Sequence, residues 1–462
     1  MTKAMAPSND GQVIRRVLVA NRGEIAVRVQ RACRELGLEV VQVYSEADRD
    51  SLAVQMADYA VCIGPARASK SYLLGERVVE AAKALRADAI HPGYGFLSEN
   101  AAFARLCESE GVRFIGPPGD VIALMGDKAS ARAMAVAAGV PVTPGSSGTV
   151  SSPAEAKAIA ADLGYPVILK AVAGGGGRGM RVVEREADLA ASFESASREA
   201  TAAFGDGTMY VEKYLVNIRH VEIQILSDGD NVLHLGERDC SSQRRNQKLV
   251  EESPSPALST ALRDAMGEAA VRLCRHVGYR SAGTIECIVD PAAQRFYFME
   301  MNTRVQVEHP VTECVTGIDV VKEQIRIAQG EPLVIRQSQV QLSGHAIECR
   351  INAEDPARNF MPSPGRVDAF RVPGGPGVRV DSHVFSGYVI PPDYDSLIAK
   401  LICWGRDREE ALARMRRALT ELRVDGVHTT APFLLRLIDS AAFRQGAVHT
   451  RFVESFIQET SS

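Results

Sequence analysis

The chain has 462 residues, which at roughly 150 residues per domain gives about three domains and removes any need for a small core stapled by disulfides. Hydrophobic residues make up 46% and charged ones 24%, the balance of a soluble globular protein, which excludes a disordered or fibrous chain. Lys and Arg (53) nearly match Asp and Glu (57) for a net charge of −4, so a whole-chain basic footprint for nucleic acid or an anionic membrane is missing.

Residues 1–12 are polar, with Pro7 and Asn9-Asp10-Gly11, and read as a loose tail without the apolar stretch of a secretory leader. From 13 to 117 short apolar runs alternate with amphipathic segments. Residues 17–20 form a strand, Ile25, Val29, Cys33 and Leu36 follow at helical spacing, and 40–44 are apolar again. Leu74, Val78, Ala81 and Leu85 mark a second helix, followed by Ala89-Ile90, the turn-rich His91 to Gly95, and another apolar run at 112–115. This alternation predicts a mostly parallel sheet with helices on both faces. An Ala-rich helix at 129–138, within a linker 118–142, stops at Gly139 and Pro141. In a second unit, 143–215, strands at 165–171 and 180–183 flank a glycine run, with a helix at 188–203 and a strand at 209–215. The remainder, 216–462, mixes antiparallel strands at 221–226, 284–289, 296–301 and 345–351 with helices such as 408–422. The class is therefore α/β joined to α+β. No window reaches the about 20 apolar residues of a membrane span. The nine cysteines lack Cys-x-x-Cys or zinc spacing, which fits reduced thiols and a cytoplasmic setting.

The glycine run at 174–179 lets backbone N–H groups approach phosphate oxygens. Gly174, Gly176 and Gly179 also satisfy Gly-x-Gly-x-x-Gly, but a strand follows where a dinucleotide site needs a helix. No Gly-Lys dipeptide occurs, so a Walker A loop is excluded. Lys170 and Arg178 favour a phosphate cradle over the other reading, a hairpin without a ligand.

In residues 300–308 every even position is polar: Glu300, Asn302, Arg304, Gln306 and Glu308. If extended, they share one face. A second acidic strand precedes them, and a hairpin centred on Ala293 pairs Glu286 with Glu300, with Cβ atoms about 4.5–5.5 Å apart. Opposed like charges need something positive between them, and a Mg²⁺ ion carried by ATP supplies it, with Asn302 as a further oxygen donor. An ordinary surface pair is the alternative. Glu300 and Glu308 lie about 26 Å apart along an extended strand, so the segment divides into a metal end and a second-reactant end. Pro310 is expected to end the strand, with Glu308 bending back. Lys128, Lys170 and His220 are phosphate candidates whose bland reading is a surface group. The run 243–248, with Gln243, Asn246 and Lys248, reads as a solvated face, and Arg350 as a partner of Glu348 or Glu354.

At these residues the sequence resembles the biotin carboxylase subunit of biotin-dependent carboxylases, in the ATP-grasp superfamily. The likeness runs from about Arg15 to the C-terminus through ANRGEIA at 20–26, HPGYGFLSEN at 91–100, 125–128, 174–180, 212–215, 237–248, EMNTRVQVEHPVT at 300–312 and ECRINAED at 348–355. It implies an ATP-grasp fold with a Rossmann-like N-terminal domain at 13–117, a glycine-rich lid and a C-terminal biotin carboxylase region at about 345–455. It further implies ATP held by Lys128, Lys170, Gly176, Gly177, Glu212, Lys213, Leu215, His220, Gln243 and Asn246, the last standing where some members carry His. Glu286, Glu300 and Asn302 would hold Mg²⁺ or Mn²⁺. Lys248, Arg304, Gln306 and the Val307 backbone would hold bicarbonate, with Glu308 as general base. Arg350, with Tyr94 and Gln243, would meet biotin. Implied partners are a separate biotin carboxyl carrier protein and a carboxyltransferase, since no Ala-Met-Lys-Met biotinylation motif or transferase region occurs in the chain. Arg28 matches an interface position of homodimeric relatives. The implied setting is an acetyl-CoA carboxylase of fatty acid biosynthesis. Two alternatives remain, an ATP-grasp ligase joining a carboxylate to an amine and a non-catalytic nucleotide sensor.

Overall fold

Strand Arg16–Val19 is the middle of a five-stranded sheet, with Glu39–Ser45 and Tyr59–Gly64 on one side and Ala89–His91 and Arg113–Phe114 on the other, in a computed structural model that describes residues 13–171 and 179–460. All its pairings are parallel. Val17 and Val19 pack into one buried cluster with Ile25 and Val29 of helix Gly23–Glu35. Leu18 joins another with Val78 and Ala82 of helix Gly75–Ala84. A strand covered on both faces must be apolar throughout, which is why this one shows no alternation.

The small unit is a three-stranded antiparallel sheet in the order Met180–Val183, Val167–Ala171, Met209–Lys213. Helices Pro153–Leu163 and Glu186–Phe204 cover it, and Leu169, Val211, Phe193 and Ala196 form its core. The third strand stops at Lys213, two residues earlier than expected, and Leu215 is half-buried beyond it. The glycine run at 174–178, and with it the expected ligands Gly176 and Gly177, lies outside the described residues. Between the two units the expected helix is found at Lys128–Ala137, and a further one, Gly119–Gly126, precedes it. The break falls at Asp127, whose carboxylate caps the later helix by accepting from the Ser130 N–H at 2.8 Å.

The remaining chain builds an eight-stranded antiparallel sheet in the order Arg295–Asn302, Ser281–Asp290, Arg219–Ser227, Val232–Arg244, Gln247–Ser253, His345–Asn352, Leu397–Gly405, Val378–Ser382. Helix Thr260–His276 buries Leu262, Met266 and Leu273 against it, and helix Arg408–Glu421 buries Met415 and Leu419 at its far end. The polar alternation at 300–308 does not continue as a strand: the strand ends at Asn302, and Glu308 is the N-cap of helix His309–Thr316. Pro310 therefore opens a helix, where its missing N–H has no bond to lose, instead of closing a strand. The turn brings Glu308 back toward the metal end, as expected, so the separation of a fully extended strand does not arise.

Candidate active site

Opposed acidic strands come first. Glu286 and Glu300 are cross-strand partners, as are Thr284 and Asn302. The pairing rests on two departures from a regular hairpin that cancel. Asp290 pairs with Arg295, so the turn is centred half a residue before Ala293, and a bulge between Glu286 and Cys287 restores the difference. Without that bulge Met299 would stand opposite Glu286. Burial works against the charged form of Glu286, but Lys248 and His220 outweigh it and hold the carboxyl well below its usual range. His220 Nε2 is 3.1 Å from Glu286 Oε2, and Asn302 Nδ2 and Gln306 Nε2 each donate to Oε1 at 3.0 Å. Burial, and next the nearby Glu286 charge, push the Glu300 carboxyl upward, while Lys128 at its helix start opposes the rise. A pair in which one carboxylate is ionised and its neighbour is held back by that charge fits a divalent cation bridging to phosphate oxygens. Potential ligand atoms of His220, Glu222 and Glu286 also lie within 4.8 Å of one another.

Lys248 arrives on the hairpin of Val232–Arg244 and Gln247–Ser253, where it pairs with Gln243 across a two-residue turn. Both turn residues are left-handed, Arg245 at φ 50 and Asn246 at φ 65, the conformation that tight hairpins require. The run expected to be a solvated face is thus a register device. Its tip is exposed, while Gln243 is buried. Lys248 Nζ reaches Glu222 Oε2 at 2.7 Å, Glu286 Oε1 at 3.1 Å and Glu308 Oε1 at 2.6 Å. One ammonium therefore joins the metal pair to Glu308, the two groups that an extended strand would have kept apart.

Arg350 bonds neither Glu348 nor Glu354. Its Nε donates to Glu251 Oε1 at 2.6 Å and its Nη2 to Glu308 Oε2 at 2.9 Å. Glu308 is fully buried, yet Lys248, Arg350 and Arg238 together hold its carboxyl well below the usual range. It is a carboxylate at neutral pH, clamped between two cations. Arg304 donates to Gln306 Oε1 and Asn302 Oδ1, each at 3.0 Å, and to Glu99 Oε2 at 2.8 Å. Burial, and next Glu24, keep the Tyr94 phenol protonated, and its hydroxyl donates to Glu24.

A cavity of about 1080 Å³ gathers Tyr94, His220, Gln243, Asn246, Lys248, Glu286, Glu300, Asn302, Arg304, Gln306, Val307, Glu308 and Arg350 on its lining. Lys128, Lys170, Glu212, Lys213 and Leu215 are not on that wall. Lys170 Nζ sits 2.5 Å from Glu212 Oε2, and Lys213 donates to the carbonyls of Gly164 and Tyr165.

Comparison with known proteins decides the family. The chain matches the Biotin carboxylase, N-terminal domain model over residues 13–122 and the Carbamoyl-phosphate synthase L chain, ATP binding domain model over 127–336. The Biotin carboxylase C-terminal domain model matches 348–455. It is 56% identical over 445 residues to Biotin carboxylase 1 of Bacillus subtilis, covering 96% of this chain and 99% of that protein. The chain belongs to the biotin carboxylase family. Biotin carboxylases are ATP-dependent ligases, and this chain is an enzyme of that kind. Its relatives include a pyruvate carboxylase subunit of Methanothermobacter thermautotrophicus, 54% identical over 96% of this chain and 90% of that protein. Among solved structures is the Hydrogenobacter thermophilus 2-oxoglutarate carboxylase biotin carboxylase domain dimer with MgADP, ADP and bicarbonate. It superposes with a TM-score of 0.88 at 52% identity, covering 96% of this chain and 98% of that one.

Four buried residues of this biotin carboxylase escaped the sequence reading. Arg238, with no exposure, donates to Glu222 Oε1 at 2.5 Å, Gln224 Oε1 at 2.6 Å, Thr312 Oγ1 at 3.0 Å and Thr284 Oγ1 at 3.1 Å. Glu222 and Glu251 hold Lys248 and Arg350 from behind, and Glu24 holds Tyr94. A signal existed: His220, Glu222 and Gln224 alternate with Val221, Ile223 and Ile225, the same pattern that marks 300–308. The nine cysteines are all free thiols. Among the described residues no helix is long and apolar enough to cross a membrane.

Proposed function

We propose that this chain carboxylates biotin on a separate carrier protein by way of carboxyphosphate, with the roles divided along the cavity. The observation that carries the reading is the clamp on Glu308 by Lys248 and Arg350, with Lys248 reaching the Glu286 end of the same cavity. ATP occupies that end, against His220, Gln243, Asn246, Lys128 of the connecting helix and the small-unit lysines Lys170 and Lys213, with Glu212, Leu215 and the backbone at Gly176 and Gly177. Glu286, Glu300 and Asn302 would hold Mg²⁺ or Mn²⁺, which when bound neutralises phosphate charge. Lys248, Arg304, Gln306 and the Val307 backbone orient bicarbonate.

Glu308 takes the bicarbonate proton as a bicarbonate oxygen attacks the γ-phosphorus and ADP leaves. In the free protein its two cations make it a weak base. Bicarbonate that shares Lys248 with it weakens that hold and raises its proton affinity at the moment of transfer. Carboxyphosphate then splits to CO₂ and phosphate, the phosphate takes the biotin N1′ proton, and N1′ attacks CO₂. Arg350, with Tyr94 and Gln243 alongside, faces the enolate-like ureido oxygen that develops.

At the level of the assembly we propose a homodimer with Arg28 at its interface, a cytoplasmic setting, and carrier and carboxyltransferase partners that together form an acyl-CoA carboxylase of several chains. The acceptor proposed is acetyl-CoA, in fatty acid biosynthesis. Co-purification with a transferase tests that choice, and a 2-oxoacid transferase in its place would overturn it. The activity itself is tested with purified protein, MgATP, bicarbonate and free biotin. ADP and phosphate release should require bicarbonate and rise with biotin, and Arg350→Ala should abolish biotin carboxylation in a folded protein. Turnover that needs an amine instead would show a carboxylate–amine ligase, and near-normal carboxylation by the Arg350 variant would remove its assigned role.

A further inference from the structure

One buried cation touches the cavity only from behind. Lys400, in strand Leu397–Gly405, has no exposed surface. Its Nζ donates to the Val307 carbonyl at 2.9 Å, lies 3.1 Å from Glu24 Oε1 and is 3.9 Å from Asp381 Oδ2. Asp381 is already engaged by Arg379, at 3.0 and 2.7 Å, so Lys400 is spent mainly on Glu24 and Val307. These two contacts lead to different residues of the cavity wall. Val307 precedes Glu308 in the turn that carries Arg304, Gln306 and the base. Glu24 accepts a hydrogen bond from the Tyr94 hydroxyl.

From this geometry we infer that Lys400 is a positioning residue that sets the Val307–Glu308 turn and the Tyr94 phenol relative to each other. The inference rests on the bicarbonate and biotin roles proposed above. Glu308's carboxylate is aimed by Lys248 and Arg350, but the main chain at 303–307 leading to it lies between the end of the strand at Asn302 and the start of helix His309–Thr316, outside both ladders. A buried ammonium with three donors can tie such a turn to helix Gly23–Glu35, where an apolar side chain cannot. The competing account is that Lys400 only neutralises the buried carboxylates around it, Glu24, Asp381 and Glu348. The two differ in what happens when the charge is removed together with its partner.

The test compares Lys400→Met with Lys400→Met/Glu24→Gln, measuring thermal unfolding and the KM values for bicarbonate and ATP. Lys400→Met should raise the bicarbonate KM about tenfold, the order of one charged hydrogen bond. Misplacement of the turn should cut biotin-stimulated turnover by about 100-fold, with the ATP KM within about twofold of the parent. In the double variant the unfolding temperature should recover while the bicarbonate KM stays high. Recovery of that KM, or an ATP KM rising in step with it, would overturn the inference. So would failure of both variants to fold, because a brace confined to one turn is dispensable for folding once its partner is neutral. A parent protein without bicarbonate-dependent ATP hydrolysis would defeat the functional reading instead, and an active parent with a kinetically unchanged Lys400→Met only this inference.

Discussion

Replacing Glu308 by Gln removes one negative charge from beside Lys248 and Arg350, which between them keep three other carboxylate partners, and the distances give the cost. After the change Lys248 keeps Glu222 at 2.7 Å and Glu286 at 3.1 Å, and Arg350 keeps Glu251 at 2.6 Å. No buried cation is orphaned, so the penalty of about 3–5 kcal/mol for breaking a buried pair does not apply. Instead one of the two bonds passes to the single amide oxygen, a neutral acceptor, losing about 1–1.5 kcal/mol, while the amide NH₂ faces the other cation and that bond is lost, about 1.5–3 kcal/mol, for a total of about 3–4 kcal/mol. Loss of a general base costs about 10²- to 10⁴-fold in rate. Glu308→Gln should therefore remain folded, with a modestly lowered denaturation midpoint, while bicarbonate-dependent phosphate release at saturating ATP, bicarbonate and biotin falls by at least about 100-fold. Turnover within about tenfold of the parent would show that another group takes the proton. A stability loss above about 5 kcal/mol would show that the carboxylate is chiefly a structural counter-ion.

Glu300→Gln should raise the metal concentration needed for half-maximal ATP turnover by about tenfold; an unchanged Mg²⁺ titration would exclude the cross-strand pair as its holder. Burial lifts the Glu251 carboxyl from its ordinary 4.5 to about 7, so the stability it contributes is fully present below about pH 4.5 and is lost as pH rises through about 7. Glu251→Gln should flatten the decline of unfolding free energy between pH 5 and 8 by up to about 3 kcal/mol, read from urea melts at both ends, and parallel curves for variant and parent would refute this. Arg238→Met should cost about 3–5 kcal/mol by leaving Glu222 Oε1 and Gln224 Oε1 buried without their donor, although Lys248 still holds Glu222 Oε2. Arg238→Met/Glu222→Gln should regain part of that loss, and no regain would mean that the pair's charges are not what matters.

The parallel sheet was legible because an apolar run such as Val17-Leu18-Val19 has one stable environment, a strand covered on both faces. The Glu286–Glu300 pairing was legible for a partly accidental reason, since a turn shifted by half a residue and a bulge offset each other. Periodicity failed at 303–308, where Val305 is buried and Arg304 and Gln306 reach the cavity just as a strand would place them, although the backbone is turning. Alternation reports which side chains are inside, not whether the chain is straight. Arg238, Glu251 and Lys400 stayed hidden because a buried ion and a wet one look alike until the strands beside them are known. Arg238 faces Glu222 and Lys400 faces Asp381 only through pairings of distant segments.

The two left-handed residues at the tip of the Lys248 hairpin also fix a count. Side chains alternate sides along a strand, so adding or deleting a single residue between Arg244 and Gln247 would swing Lys248 toward the hydrophobic backing and offer Leu249 to the reactants. Asparagine is among the few residues with a Cβ that adopt such a backbone readily, which makes an amide at 246 a natural occupant where some relatives carry an imidazole. The length of this loop is therefore as much a part of the proposed chemistry as the residues assigned to ATP.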